Sequence, residues 1–179
     1  MRFSKKILST FLSLVLIGTM TTSASLSASA DTSIDNLPHG VLYSTHVQKI
    51  GWQPFVYGGQ LAGTVGKGLR IEAIKIKAGD AAPNISFTYQ VYVQGIGWQE
   101  PVSDGAIAGT EGQNKRIEAI RITTTGAYGT GLYEIKYKVQ MQTYGWTAWQ
   151  STRTGTAIAD AAIVGMPGKG KRIEAIEID

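Results

Sequence analysis

The word Arg-Ile-Glu-Ala-Ile occurs three times in this chain, at Arg70 to Ile74, Arg116 to Ile120 and Arg172 to Ile176. Each copy follows a Gly-Trp pair across Gly-rich sequence: Gly51-Trp52, Gly97-Trp98 and Gly145-Trp146. A unit this short cannot bury its own apolar face, so the copies must pack together around one core. Trp52 and Trp98 are 46 residues apart, Trp98 and Trp146 are 48 apart. The step from Trp to Arg is 18 residues in the first two units and 26 in the third. The third unit thus carries eight extra residues, placed in the loop around Ser151 to Asp160.

The long strands are legible from period-two alternation. Ile85 to Gln94 alternates for ten positions, and Tyr133 to Gln142 does the same with Glu134, Lys136, Lys138, Gln140 and Gln142 on one face. Val41, Tyr43, Thr45 and Val47 match the inward face of the first unit. Superposed, Tyr43, Tyr89 and Tyr137 fall at one place and read as inward aromatics with hydrogen-bonded hydroxyls at the core edge. The Arg-Ile-Glu-Ala-Ile strand breaks this pattern, since regular pleat puts Glu72 beside Ile74 and Ile76. Either a bulge after Ala73 resets the alternation, or Glu72, Glu118 and Glu174 are partly buried and paired with Arg70, Arg116 and Arg172. The role read for all six is structural. Glycines at recurring offsets (Gly63 and Gly66, Gly109 and Gly112) indicate turns or close backbone approach. No segment has helical periodicity. Three units of three or four strands predict a single all-β domain of pseudo-threefold symmetry, β-prism-like, with a β-trefoil as the alternative.

Residues 1–30 have the form of a signal peptide. Arg2, Lys5 and Lys6 make a basic start, Ile7 to Met20 is apolar, and Ala28-Ser29-Ala30 is a cleavage pattern, so cleavage is expected after Ala30. A leader at 31–40 then precedes the repeat domain at 41–179, with repeats near 41–80, 85–125 and 133–179. The chain has 17 basic and 13 acidic residues. Three of the basic ones lie in the signal, which leaves 14 against 13. A near-neutral chain without basic runs argues against nucleic acid as a partner, and the apolar run is short for a membrane span, so no membrane insertion is expected. There is no cysteine, which excludes disulfides, a thiolate nucleophile and Cys-based metal sites.

Catalytic patterns are missing. His39 lies before the first unit and His46 within it, and His46 occupies a position held by Tyr92 and Gln140 elsewhere, so both read as solvated surface histidines. There is no nucleophile elbow, zinc helix, calcium loop or phosphate loop. No enzyme, cofactor or metal is expected. Gln-x-x-Gly-Trp recurs as Gln48 to Trp52, Gln94 to Trp98 and Gln142 to Trp146, each closing a long strand. Tryptophan faces beside amides suit sugar C–H faces and hydroxyls, and equally suit protein hot spots. Because Gly-Trp recurs where architecture recurs, core plugging is the favoured reading of these three tryptophans. Trp149, Tyr57 and Tyr144 do not repeat and read as exposed aromatic contacts.

The ordered string Val-Gln, Gly-Trp, Ala-Gly-Thr-x-Gly and Arg-Ile-Glu-Ala-Ile resembles the clostridial hydrophobic W repeat family. His46 through Ile76 and Tyr92 through Ile122 match it. The third copy keeps Gln142, Gly145, Trp146 and Arg172 to Ile176, but reads Val164-Gly165-Met166-Pro167-Gly168. The resemblance implies an exported protein of Gram-positive bacteria, without established catalytic residues, that contacts polysaccharide or extracellular protein. The expectation is therefore a secreted, non-catalytic module binding glycan or cell-wall polysaccharide, with a protein-binding or adhesive module as the alternative. Ligand, number of working sites and oligomeric state stay open.

Overall fold

In the computed structural model the described residues are 40–126 and 134–179. The expected signal peptide, most of the leader, and Tyr133 lie outside them. Each unit contributes five strands. The first holds β1 (Val41–Val47), β2 (Gly51–Trp52), β3 (Val56–Tyr57), β4 (Ala62–Gly63) and β5 (Ile71–Ala78). The second holds β6 (Ile85–Val93), β7 (Gly97–Trp98), β8 (Val102–Ser103), β9 (Ala108–Gly109) and β10 (Ile117–Gly126). The third holds β11 (Glu134–Met141), β12 (Gly145–Trp146), β13 (Gln150–Arg153), β14 (Val164–Gly165) and β15 (Ile173–Ile178). The eight extra residues of the third unit fall between Trp146 and Val164, where β13 is lengthened and Ile158–Asp160 form a 3₁₀ turn.

Three separate five-stranded antiparallel sheets result. They are not closed into a barrel, so the prism description holds and the trefoil alternative does not. The sheets are interlocked. β4 of the first unit pairs with β15 of the third, β9 of the second with β5 of the first, and β14 of the third with β10 of the second. Each unit gives one short strand to the preceding sheet, and the cycle closes from the first unit to the last.

Glycine makes this exchange possible. Gly63, Gly109 and Gly165 have φ of +107°, +107° and +115°. A Cβ on each would lie 2.7 Å from the Cα of Ala175, Ala73 and Ala119 respectively, closer than van der Waals contact allows. The donated strand therefore lies flat against the Glu-Ala peptide of its neighbour.

The core is built on the central strands. Ile71, Ile74, Ile117, Ile120, Ile173 and Ile176 line a narrow apolar space between β5, β10 and β15, two from each unit. All six are buried. Tyr43, Tyr89 and Tyr137 point inward and are fully buried. Their hydroxyls donate to the carbonyls of Gln60, Ala106 and Ala162. The Tyr43 and Tyr137 hydroxyls also accept the N–H of Ile178 and Ile122, each in the preceding unit's central strand, at 3.1 Å. Burial pushes all three phenols above the ordinary tyrosine range.

The break in alternation has two causes at once. A bulge lies at Ile71–Glu72, not after Ala73: Val47 pairs with Ile71 while the adjacent His46 pairs with Ala73. The same shift occurs at Ile117–Ala119 and Ile173–Ala175. The extra residue in each is the glutamate, so Ile71, Ile74 and Ile76 all reach the core while Glu72 is turned aside.

Candidate functional site

The glutamates turned out of the core remain buried and are met by the arginines two residues earlier. Arg70 Nη2 is 2.7 Å from Glu72 Oε1, Arg116 Nε is 2.9 Å from Glu118 Oε1, and Arg172 Nη2 is 2.8 Å from Glu174 Oε1. A polar group from the next unit meets two of the pairs. Arg70 Nη2 donates to Asn114 Oδ1 at 3.1 Å, and the Gly170 N–H donates to Glu118 Oε2 at 3.3 Å. These six residues brace the junctions between units.

The recurring tryptophans are not core plugs. Trp52, Trp98 and Trp146 are half-buried and none belongs to the apolar core. They lie on the outer face, because Trp52 pairs with His46, Trp98 with Tyr92 and Trp146 with Gln140, residues whose neighbours Val47, Val93 and Met141 point inward. There each indole meets a cation. Lys75 Nζ is 4.1 Å from the Trp52 ring, Arg121 Cζ is 4.7 Å from Trp98, and Lys138 Nζ is 4.6 Å from Trp146. Edge contacts add His46 to Trp52 at 5.6 Å and Tyr92 to Trp98 at 5.7 Å. The Trp52 indole N–H donates to Glu111 in the donated loop of the second unit. His46 is thus no solvated surface residue. It is half-buried between Trp52 and Glu72, with Nδ1 3.3 Å from Glu72 Oε2 but not aligned as a hydrogen bond.

The non-repeating aromatics are exposed: Trp149 at 43%, Tyr57 at 43% and Tyr144 at 61%. Lys138 Nζ lies 4.6 Å from Trp149 as well as Trp146, and Lys171 Nζ is 5.5 Å from Tyr144. Two of the three do have counterparts. Tyr144 stands where Ile50 and Ile96 stand, immediately before Gly-Trp, and both isoleucines are exposed. Trp149 stands three residues after Trp146, as Phe55 stands after Trp52. Phe55 is 42% exposed with Lys77 Nζ 5.0 Å from its ring. Sequence reasoning missed Phe55, although the shared offset was the available signal.

Gln48, Gln94 and Gln142 are half-buried at the strand ends. Their N–H groups donate to Arg70, Arg116 and Arg172 carbonyls at 3.0 Å, and no side-chain hydrogen bond of Gln48, Gln94 or Gln142 is seen among the described residues. The amide that matters structurally comes just after the tryptophan. Gln53 Oε1 accepts the Gly63 N–H at 2.7 Å and its Nε2 donates to the Gly63 carbonyl at 3.2 Å. Gln99 does the same to Gly109. These side chains mimic a strand edge and hold the exchanged strand from its own unit. Thr147 stands there in the third unit and accepts the Val139 N–H instead. The recurrence of Gly-Trp-Gln in two units was the sequence signal.

The fold and faces define a repeat module of three interlocked antiparallel sheets with aromatic–cation pairs directed outward. The family model described as Clostridial hydrophobic W matches residues 46–78 and 92–126. The first two units are repeats of that family, and the third repeats their strand order and strand exchange. No match was found among curated proteins or among solved structures. Among the described residues no helix is long and apolar enough to cross a membrane.

Proposed function

We propose that the chain is a secreted, non-catalytic interaction module that binds polysaccharide through aromatic side chains on its outer sheet faces. The observation that carries this reading is the exposed group on the third unit: Trp149 beside Lys138, and Tyr144 beside Lys171. A ring held by a neighbouring ammonium presents its free face with little rotamer entropy left to lose. Sugar rings offer apolar C–H faces to such a surface, and the adjacent Gln142 amide suits their hydroxyls. A glycan array spanning plant, host and bacterial wall polysaccharides tests it. Trp149→Ala and Tyr144→Ala should each lower binding while leaving thermal stability close to the parent. Silence across the array counts against the reading, and release of new reducing ends counts against its non-catalytic part.

One observation favours a second reading, contact with an extracellular protein. Leu61, Ile107 and Ile163 occupy equivalent positions before the exchanged strands, and all three are exposed, as are Ile50 and Ile96. Aliphatic side chains give a sugar little to stack on but suit a protein surface. Binding to cells that is abolished by protease and kept after polysaccharide stripping would select this alternative.

A further inference from the structure

The three outer faces share a backbone plan but differ in charge. Ser44 and Lys75 are paired neighbours on the first sheet, Gln90 and Arg121 on the second, Lys138 and Glu177 on the third. In the third, Lys138 Nζ is 2.8 Å from Glu177 Oε2, so the ammonium beside Trp146 and Trp149 is already matched. In the second, Arg121 donates to Gln90 Oε1 at 2.7 Å and to the Ala159 carbonyl at 2.9 Å, which ties its guanidinium down. The first differs. Lys75 and Lys77 point outward from alternate positions of β5, about 7 Å apart along the strand. Among the described residues neither is paired with a carboxylate. The Glu111 carboxylate at the margin is engaged by the Trp52 indole N–H.

Lys75 lies over Trp52 and Lys77 over Phe55, at 4.1 and 5.0 Å. A ring quadrupole orients an ammonium without cancelling its charge. The stem of Lys77 runs past Gly105 of the second unit, where an added Cβ would lie 3.9 Å from its Cβ and Cδ. The face therefore holds two ammonium groups, each beside a flat aromatic.

We infer that this first-unit face, formed by Trp52, Phe55, Lys75 and Lys77, is a subsite for acidic polysaccharide whose sugar rings themselves carry carboxylates. The inference rests on the polysaccharide reading above and adds the ligand class for one face. A uronate ring brings a C–H face and an acid on the same residue, which matches a ring and an ammonium held together. A phosphodiester polymer puts its charge between the sugars and uses only the lysines. The third face, with its matched Lys138–Glu177 pair, suits uncharged sugar.

Titration of the purified chain with polygalacturonate, with its methyl-esterified form and with inorganic polyphosphate tests this. Polygalacturonate should bind, with affinity falling as salt rises, and esterification should weaken it at least about tenfold. Lys75→Gln/Lys77→Gln should produce a similar loss, as should Phe55→Ala, which keeps both charges. None of these should alter binding of a neutral polysaccharide that Trp149→Ala weakens. Neutral binding with no response to polygalacturonate overturns the inference and leaves the broader reading standing. Polyphosphate binding as tight as polygalacturonate, or polygalacturonate binding that survives both variants, overturns it too. Failure to bind any polysaccharide overturns both.

Discussion

Gly63 of the first unit and Ala175 of the third face one another across the ladder that closes the cycle of sheets. Flanking this contact, the Thr64 N–H donates to the Glu174 carbonyl at 2.8 Å. The first and last repeats are thereby joined by main chain, so neither end of the repeat array is left as an open edge. This is the physical difference between a ring and a linear stack of the same units.

Gly63→Ala should open that joint. Its Cβ would meet the Ala175 Cα at 2.7 Å, against backbone that cannot rotate away, and φ of +107° is strained for alanine. A loss of about 3 kcal/mol or more is expected, read by urea unfolding. Gly51→Ala also places alanine at positive φ (+85°) but meets nothing within 4 Å, so it should cost only about 1 kcal/mol. Equal losses at the two sites would show that crowding at the seam is not what matters.

The buried Arg–Glu pairs predict a second effect. The Glu118 side chain is 3% exposed and Arg116 25%. Glu118→Ala removes one member and strands a guanidinium that also faces the close-packed Gly170. Breaking such a pair costs about 3–5 kcal/mol. Thermal melts should show that loss for Glu118→Ala, and a smaller one for Glu118→Gln, which can still accept from Arg116.

Trp98→Ala should be milder than its size suggests. Trp98 lies outside the core, covered by Arg121 and the edge of Tyr92. Losing those contacts should cost about 1–2 kcal/mol, where a core aromatic costs about 3–5 kcal/mol. A folded Trp98→Ala chain with unchanged far-ultraviolet circular dichroism is the expected result.

These outcomes also mark where sequence reasoning reached. The long strands β6 and β11 were legible because alternate residues enter one core, and the inward tyrosines followed from the same period. Strand exchange was not legible, since Ala62-Gly63 and its equivalents are two-residue strands with no pattern of their own. The bulge was half-legible: the misplaced glutamate signalled an irregularity, but only pairing with Val47 locates it at Glu72. The tryptophans were misread because their face depends on the turn before them. Gly51, Gly97 and Gly145, all at positive φ, send the short strand back so that Trp faces out.

Alkaline pH should unfold the protein steeply. Tyr43, Tyr89 and Tyr137 have phenols raised above their ordinary value, chiefly by burial, with backbone hydrogen bonds opposing the shift. In the unfolded chain these groups ionise near pH ~10. Above that pH the unfolded state releases protons that the folded state keeps, so stability present below pH ~10 is lost as pH rises. The slope from each tyrosine has an upper limit of about 1.4 kcal/mol per pH unit. Tyr89→Phe should lower stability at neutral pH yet make the alkaline slope shallower, measured by urea titration between pH 9 and 11.

A stabilising change is available in the third unit. At the tip before Gly-Trp, Lys49, Gly95 and Thr143 occupy one position, with φ of +65°, +70° and +68°. Only glycine enters that region without a clash between Cβ and backbone, and a β-branched residue does so least well. Thr143 gains a hydroxyl contact to the Gln142 carbonyl at 2.6 Å, but that oxygen lies at an exposed turn where water replaces the bond at little cost. Thr143→Gly copies the second unit and should raise stability by about 1 kcal/mol, a net of relieved strain against added freedom in the unfolded chain. Thr143→Ala keeps the Cβ and loses the hydroxyl, so it should not stabilise to the same degree. A higher melting temperature for glycine alone would identify the left-handed backbone, rather than the lost hydroxyl, as the source of the gain.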